Sequence, residues 1–319
     1  MILLTKRLSL DGTQLKLLAL LFMLIDHIHY FFEFTGKVPG VFFVIGRLSA
    51  YLFLFCMVEG FSHTRSRIKY FLRVYMMAVG MGIIYHLMSY HGLLLRRDGF
   101  YPINGILLNL VILCIIWQGI DWVKEGQTAK GIIAVFLPFW YGCIAEMLIS
   151  INSLHHFFVL ANHSFLPNWG TLADGGLPYI VVGIVLYIFK DNRKSQCIAY
   201  IIASLSMQVL FRGWLWSAND PAFTWSKLVT DLNYCQWLSV FTVVFFFLYN
   251  GKKGRGCKQL FYWFYPIHVY VLYFFPAFAI HCIHNSPKSS CYLLQSQYTE
   301  VIEKIKATNK IQNRYTAIS

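Results

Sequence analysis

Apolar runs of roughly 17–25 residues, each long enough to cross a bilayer as a helix, recur along most of this 319-residue chain. They set the class before any motif is considered. Charged residues make up only 13% of the sequence, against about 25% in soluble domains, and 57% is hydrophobic. This excludes an ordinary cytosolic enzyme and a disordered chain. The expected fold is all-α: a polytopic integral membrane bundle of about nine transmembrane helices, with eight to ten as the range.

The nine expected spans are approximately 15–34, 40–62, 69–90, 104–120, 130–150, 175–190, 195–212, 234–250 and 258–283. Residues 1–283 read as a single transmembrane domain and 284–319 as a polar C-terminal tail. The first apolar run has no small-residue cleavage site after it and is read as a retained span. No internal repeat or inverted duplication stands out. The eight cysteines are scattered singly, so neither a disulfide framework nor a zinc site is indicated. His155, His156 and His163 in an outer loop lack ligand spacing, and no metal is expected.

The net charge of +13 matters here through its distribution rather than as a sign of nucleic-acid binding. Sixteen basic residues lie in the N-terminal segment and in the loops after spans two, four, six and eight. Only five (Lys37, Arg96, Arg97, Arg212 and Lys227) lie in the intervening loops. The bias puts the N-terminus in the cytoplasm of a multi-pass inner or plasma membrane protein, with membrane lipids as its surroundings.

Ionisable side chains within spans are costly and therefore candidates for function. Asp26 and His27 interrupt the first span, Arg47 and Glu59 the second, and His268 the last; His86 and Glu146 lie toward outer ends. Lys16 and His27 are eleven residues apart, close to three helical turns, so they share a face and stand roughly 16 Å apart along the axis. A cation at the cytoplasmic surface and an imidazole halfway across suit a substrate with a phosphate-rich head and a long thin arm. An acyl-coenzyme A has that form. Arg65, Arg67, Lys69 and Arg73 add cations for the phosphates, and His27 could accept a proton beside the thioester. Simpler roles compete at each position. A lone His often serves helix packing, Asp26 and Arg47 form a natural structural pair, and the arginine cluster suits topology or anionic-lipid contact. No G-x-S-x-G, P-loop or H-E-x-x-H motif occurs.

The segments LKLLALLFMLIDHIHYFF, IGRLSAYLFLFCMVEGFSHTRSRIKYFLR, LYNGKKG and FYWFYPIHVYVLYF resemble the TraX family, named for a membrane acetylase of conjugative pilin. The similarity is strongest over about the first 90 residues and returns over about 172–275. More distantly, the chain is similar to the acyltransferase-3 family. That family's Arg, ten residues, then catalytic His is matched by Lys16 and His27, its basic cluster by Arg65, Arg67 and Arg73, and its late Tyr–His helix by Tyr265 to His268. Glu59-Gly60-Phe61 stands where that family commonly has Ser-Gly-Phe or Ser-Gly-Tyr.

The resemblance implies an acetyl-CoA-dependent acyltransferase. Its expected site is His27 as general base, Asp26 and Arg47 orienting it or stabilising an oxyanion, and His268 completing the site. Lys16, Arg65, Arg67 and Arg73 would hold the coenzyme A phosphates. The expected acceptor is the N-terminal amine of a membrane or exported protein. The alternatives are a cell-surface glycan or lipid hydroxyl and, outside enzymology, a transporter with an Asp/His/Arg path. A lipid-binding scaffold for a secretion assembly is a third class. The charge bias yields the first test. Single cysteines placed in the 63–69, 121–130, 190–194 and 251–258 loops are expected to resist an impermeant thiol reagent in intact cells. Labelling from outside at 252–255 would reverse the orientation.

Overall fold

The computed structural model describes residues 9–96, 100–103, 105–149, 151, 155–167, 175–256 and 258–284. Residues 285–319 of the expected tail, Lys6 and Arg7, and the Glu146 side chain lie outside the described residues. In chain order the helices are α1 (Gly12–Phe32), α2 (Val41–Ser62), α3 (Arg67–Ser89), α4 (Ile106–Lys124) and α5 (Thr128–Ile149). They continue with α6 (His155–Leu160), α7 (Gly176–Ile188), α8 (Arg193–Leu205), α9 (Arg212–Asn219), α10 (Lys227–Thr230), α11 (Val243–Leu248) and α12 (Lys258–His284). Among the described residues the pairing of strand type is confined to an isolated bridge between Leu10 and Tyr249.

Among the described residues six helical stretches are long and apolar enough to cross a membrane: Gly12–Thr35, Val41–Ser62, Arg67–Ser89, Ile106–Lys124, Thr128–Ala145 and Arg193–Asn219. Each of the nine expected spans overlaps helix among the described residues, but the count of nine is not reached. Gly176–Ile188 has 13 residues, about 20 Å at 1.5 Å per residue, short of a hydrocarbon core about 30 Å thick. The stretch before α11 is a 3₁₀ segment, Leu232–Thr242, with non-helical backbone at Cys235. A single hydropathy window cannot see either interruption.

Local sequence sets the helix ends. Asp11 accepts from the Thr13 and Gln14 amides while the Gln14 side chain returns to the Asp11 amide, a full capping box. The Gly251-Lys-Lys-Gly-Arg255 loop is held over the same end. Gly12 N donates to Lys252 O at 2.8 Å, and the Thr13 hydroxyl to Arg255 O at 2.5 Å. Gly251 and Gly254 have φ of +76° and +74°, the left-handed region where a Cβ is unfavourable. Ser66 caps α3 by accepting from Lys69 N.

The bundle centre is aromatic. Phe55 stacks on Phe246 with centroids 4.2 Å apart, and Trp117 on Tyr187 at 5.2 Å. The buried Trp117 indole donates to Gly183 O at 3.0 Å, so its one polar atom is satisfied. Around this centre one end of the bundle is bound by ion pairs. Asp121 at the end of α4 meets Arg67 of α3 at 2.5 Å, Lys190 at 3.4 Å and the Tyr187 hydroxyl at 2.7 Å. Glu59 of α2 meets Arg193 of α8 at 2.9 Å. The basic loops thus gather at a common end.

Helices α4 and α5 approach closely through Gly119 and Gly131. A Cβ on Gly119 would lie 2.8 Å from Gly131 O, and one on Gly131 2.6 Å from Gly119 O. Small residues permit such backbone contact between apolar helices. Gly119→Val is expected to force the pair apart and destabilise by about 1–3 kcal/mol, the usual cost of overpacking. A thermal unfolding midpoint of the solubilised protein equal to wild type would refute this.

Candidate functional site

The ionisable residues of the first two helices meet inside the bundle. Arg47 Nη2 donates to Asp26 Oδ1 at 2.7 Å, joining α1 to α2. The contact depends on Gly46, where a Cβ would fall 1.9 Å from Asp26 Oδ1. Arg47 is held further by Nη1 to Gln236 Oε1 at 3.0 Å, Nε to Phe43 O at 3.2 Å, and its stack 4.0 Å from the Phe43 ring. The Asp26–Arg47 pairing that the sequence suggested is present, and it is fixed on every side.

His27 lies one position further and makes a different set of contacts. Its Nδ1 is 2.9 Å from Met23 O and 3.0 Å from His268 Nε2. His268 Nδ1 in turn is 2.7 Å from Phe264 O. Backbone carbonyls only accept, so in the neutral rings both Nδ1 atoms carry the proton. His268 Nε2 then accepts from His27 Nδ1–H, and His27 Nε2 keeps the free lone pair. The two histidines are 241 positions apart in sequence. His268 is buried behind His27 and is not in the cavity wall.

His27 lines a cavity of about 540 Å³, together with Asp26 and Arg47. Lys16 lines it too, so the shared face deduced from an eleven-residue spacing is the face turned to the cavity. A second cavity of about 700 Å³ opens at the basic end of the bundle, with Lys16, Arg65, Lys69, Arg73 and Lys253 in its wall. No ion pair involving these five occurs among the described residues, and the vestibule's carboxylate, Glu59, is engaged by Arg193. The cavities share Lys16, Cys56, Tyr70, Phe261 and Tyr262. Cations sit on that collar: Lys16 Nζ lies 5.5 Å from the Phe261 ring and the Arg73 guanidinium 5.5 Å from that of Tyr262.

Arg67 departs from the expected set. Its guanidinium bonds Asp121 and Gln118 Oε1 (3.1 Å), and it does not line the vestibule. Sequence spacing alone could not separate it from Arg65, because which side of a helix start faces inward is set by packing. Other residues were missed altogether. Arg212, which the sequence places in a loop, lies within the Arg193–Asn219 helical run and lines the inner cavity with Gln208 and Gln236. An arginine in the run SMQVLFRGWLW was the available signal. The outer histidines gather as well: His86 stacks on Tyr90 and lies near His91 and His163. Burial, then the neighbouring His86, lowers the His163 pKa to about 4. Among the described residues no three His, Cys, Asp or Glu side chains are placed to hold a metal ion.

The profile of the family described as TraX protein matches residues 11–275. The chain is also 24% identical over 273 residues to "Probable fimbrial assembly protein FimC, serogroup H1" of Dichelobacter nodosus. That match covers 84% of this chain and 96% of the relative. No solved structure matches. The matched region runs from the cap of α1 into α12 and so contains both histidines and both cavities; the chain belongs to the TraX family.

Proposed function

We propose that the protein is a membrane acetyltransferase that takes an acetyl group from cytoplasmic acetyl-CoA and gives it to an amine, the N-terminus of a pilus-type protein. The observation that carries this reading is the wall the two cavities share. The cationic vestibule and the cavity that holds an imidazole with a free Nε2 have Lys16, Cys56, Tyr70, Phe261 and Tyr262 in common. Phosphates suit Lys16, Arg65, Arg73 and Lys253, the thin pantetheine arm suits the collar, and the thioester then reaches His27. TraX membership and the fimbrial assembly relative support a pilus-type acceptor. In this reading all nine apolar segments cross or enter the membrane, with the N-terminus and vestibule cytoplasmic.

The chemistry assigned to the chain is proton transfer and charge stabilisation. As the amine nitrogen attacks the thioester carbonyl, a C–N bond forms and the C–S bond breaks, its electron pair leaving on sulfur. His27 Nε2 takes the amine proton and returns it to the departing thiolate. His268 holds the ring in the tautomer that keeps Nε2 basic, and its own Nε2 accepts from the imidazolium. Arg47 adds a fixed positive charge near the developing oxyanion, with no reorganisation required because three partners already hold it.

Two results test the proposal. His27→Gln cannot act as a base at neutral pH and is expected to lose roughly 10²–10⁴-fold in kcat with coenzyme A affinity nearly intact. Wild-type activity is expected to fall as pH drops through the His27 pKa, since only the neutral ring accepts a proton. Turnover of His27→Gln within a few-fold of wild type would remove His27 from the chemistry.

The arginines supply the second. Arg73→Gln is expected to raise the KM for acetyl-CoA about ten-fold or more, the loss of a charge-assisted contact of about 1.5–3 kcal/mol. Arg67→Gln is expected to lower thermal stability and leave that KM alone. Equal KM effects from both would mean that the positive end acts only as a diffuse field.

A further inference from the structure

The inner cavity has a second polar wall that the donor reading does not use. Arg212 Nη2 donates to Gly175 O at 2.9 Å, and its buried Nε has no partner. A charged neighbour is Arg47, which is paired with Asp26, and no ion pair among the described residues includes Arg212. Gln208, four residues earlier, is 2% exposed; its amide nitrogen donates to the Tyr51 hydroxyl while its buried Oε1 has no partner. Both side chains line the cavity. The backbone between them is a π-helical segment, Ser206–Phe211, a distortion that often marks functional sites.

A guanidinium inside a membrane bundle without a carboxylate is costly, and a buried amide oxygen without a donor adds to the cost. An incoming group that supplied an anionic oxygen and an N–H together would relieve both. Neither carboxylate of the cavity wall is paired with Arg212: Asp26 is bound to Arg47, and Glu33, largely exposed, lies 4.0 Å from His29. We infer that this wall is the acceptor subsite and that the acceptor is an acidic polypeptide segment. Its carboxylate is clamped by Arg212, and an adjoining backbone N–H is received by Gln208 Oε1. The clamp is suited to a planar carboxylate because the guanidinium offers a fixed fork of donors. This rests on the acetyltransferase reading for the word acceptor, but the binding chemistry stands on the cavity wall alone.

The test uses the full-length protein in lipid nanodiscs and two probes, alanyl-aspartate amide and alanyl-asparagine amide, which differ in one charge. Binding is measured without donor, and acetylation is measured separately with acetyl-CoA. Wild type is expected to bind the aspartate probe at least ten-fold more tightly than its asparagine twin. Arg212→Gln is expected to abolish that preference, Arg212→Lys to keep part of it, and Gln208→Leu to weaken both probes alike. Coenzyme A binding is expected to be unchanged in all three, which also reports correct folding. Equal binding of the two probes by wild type overturns the inference without need of any variant, and so does a preference that survives in Arg212→Gln. Preferential aspartate binding with no acetyl transfer would sustain the subsite and count against the acetyltransferase reading. Transfer without preference would do the reverse.

Discussion

An aspartate and an arginine halfway along two neighbouring apolar helices must neutralise each other, and the rest of the site depends on how they do so. Asp26 and Arg47 meet at 2.7 Å over Gly46, whose lack of a side chain lets α1 and α2 approach. In a low-dielectric interior the loss of either partner leaves an uncompensated charge, so the pair fixes register and rotation together. Once α1 is locked with Asp26 toward α2, the next residue is turned by about 100°. His27 thereby faces the cavity and α12, where His268 meets it.

The same economy of charge divides the basic end of the bundle into two classes. Arg67, Lys190 and Arg193 are bound to Asp121 and Glu59 and tie helix ends together. Lys16, Arg65, Lys69, Arg73 and Lys253 line an open vestibule and have no such partners among the described residues. Because the first class holds the frame, the second can keep its positive potential in the absence of any anion. A preorganised cationic mouth attracts anionic ligands faster than one that must assemble around them. Its two most inward members lie on Phe261 and Tyr262, so charge and aromatic surface narrow together into the collar.

The orientation of the two imidazoles follows from backbone geometry rather than from a neighbouring carboxylate. The carbonyls of Met23 and Phe264 each lie four residues before their histidine on the same helix. Each holds its own ring's Nδ1–H, and the chain of donors ends at His27 Nε2. A helix thus fixes the tautomer of its own histidine without spending a charge inside the membrane. This leaves Asp26 to its pairing with Arg47.

Read alone, the sequence determined the helical class, the places where charge interrupts apolar runs, and the common face of Lys16 and His27. Each of these is local: hydrogen-bond satisfaction in hydrocarbon and a fixed 3.6-residue turn act within a dozen residues. The TraX segments were legible for the same reason, as short contiguous strings. Tertiary structure decided what depends on rotation and distance. It turned Arg67 toward Asp121 and Arg65 toward the vestibule, although they are two residues apart. It drew His268 to His27 across 241 positions, and it placed Arg212 in the cavity wall instead of a loop. Hydropathy does not report which side of a helix meets a neighbour, because in an apolar bundle most sides are alike. The few polar contacts that break this symmetry join residues far apart in the chain.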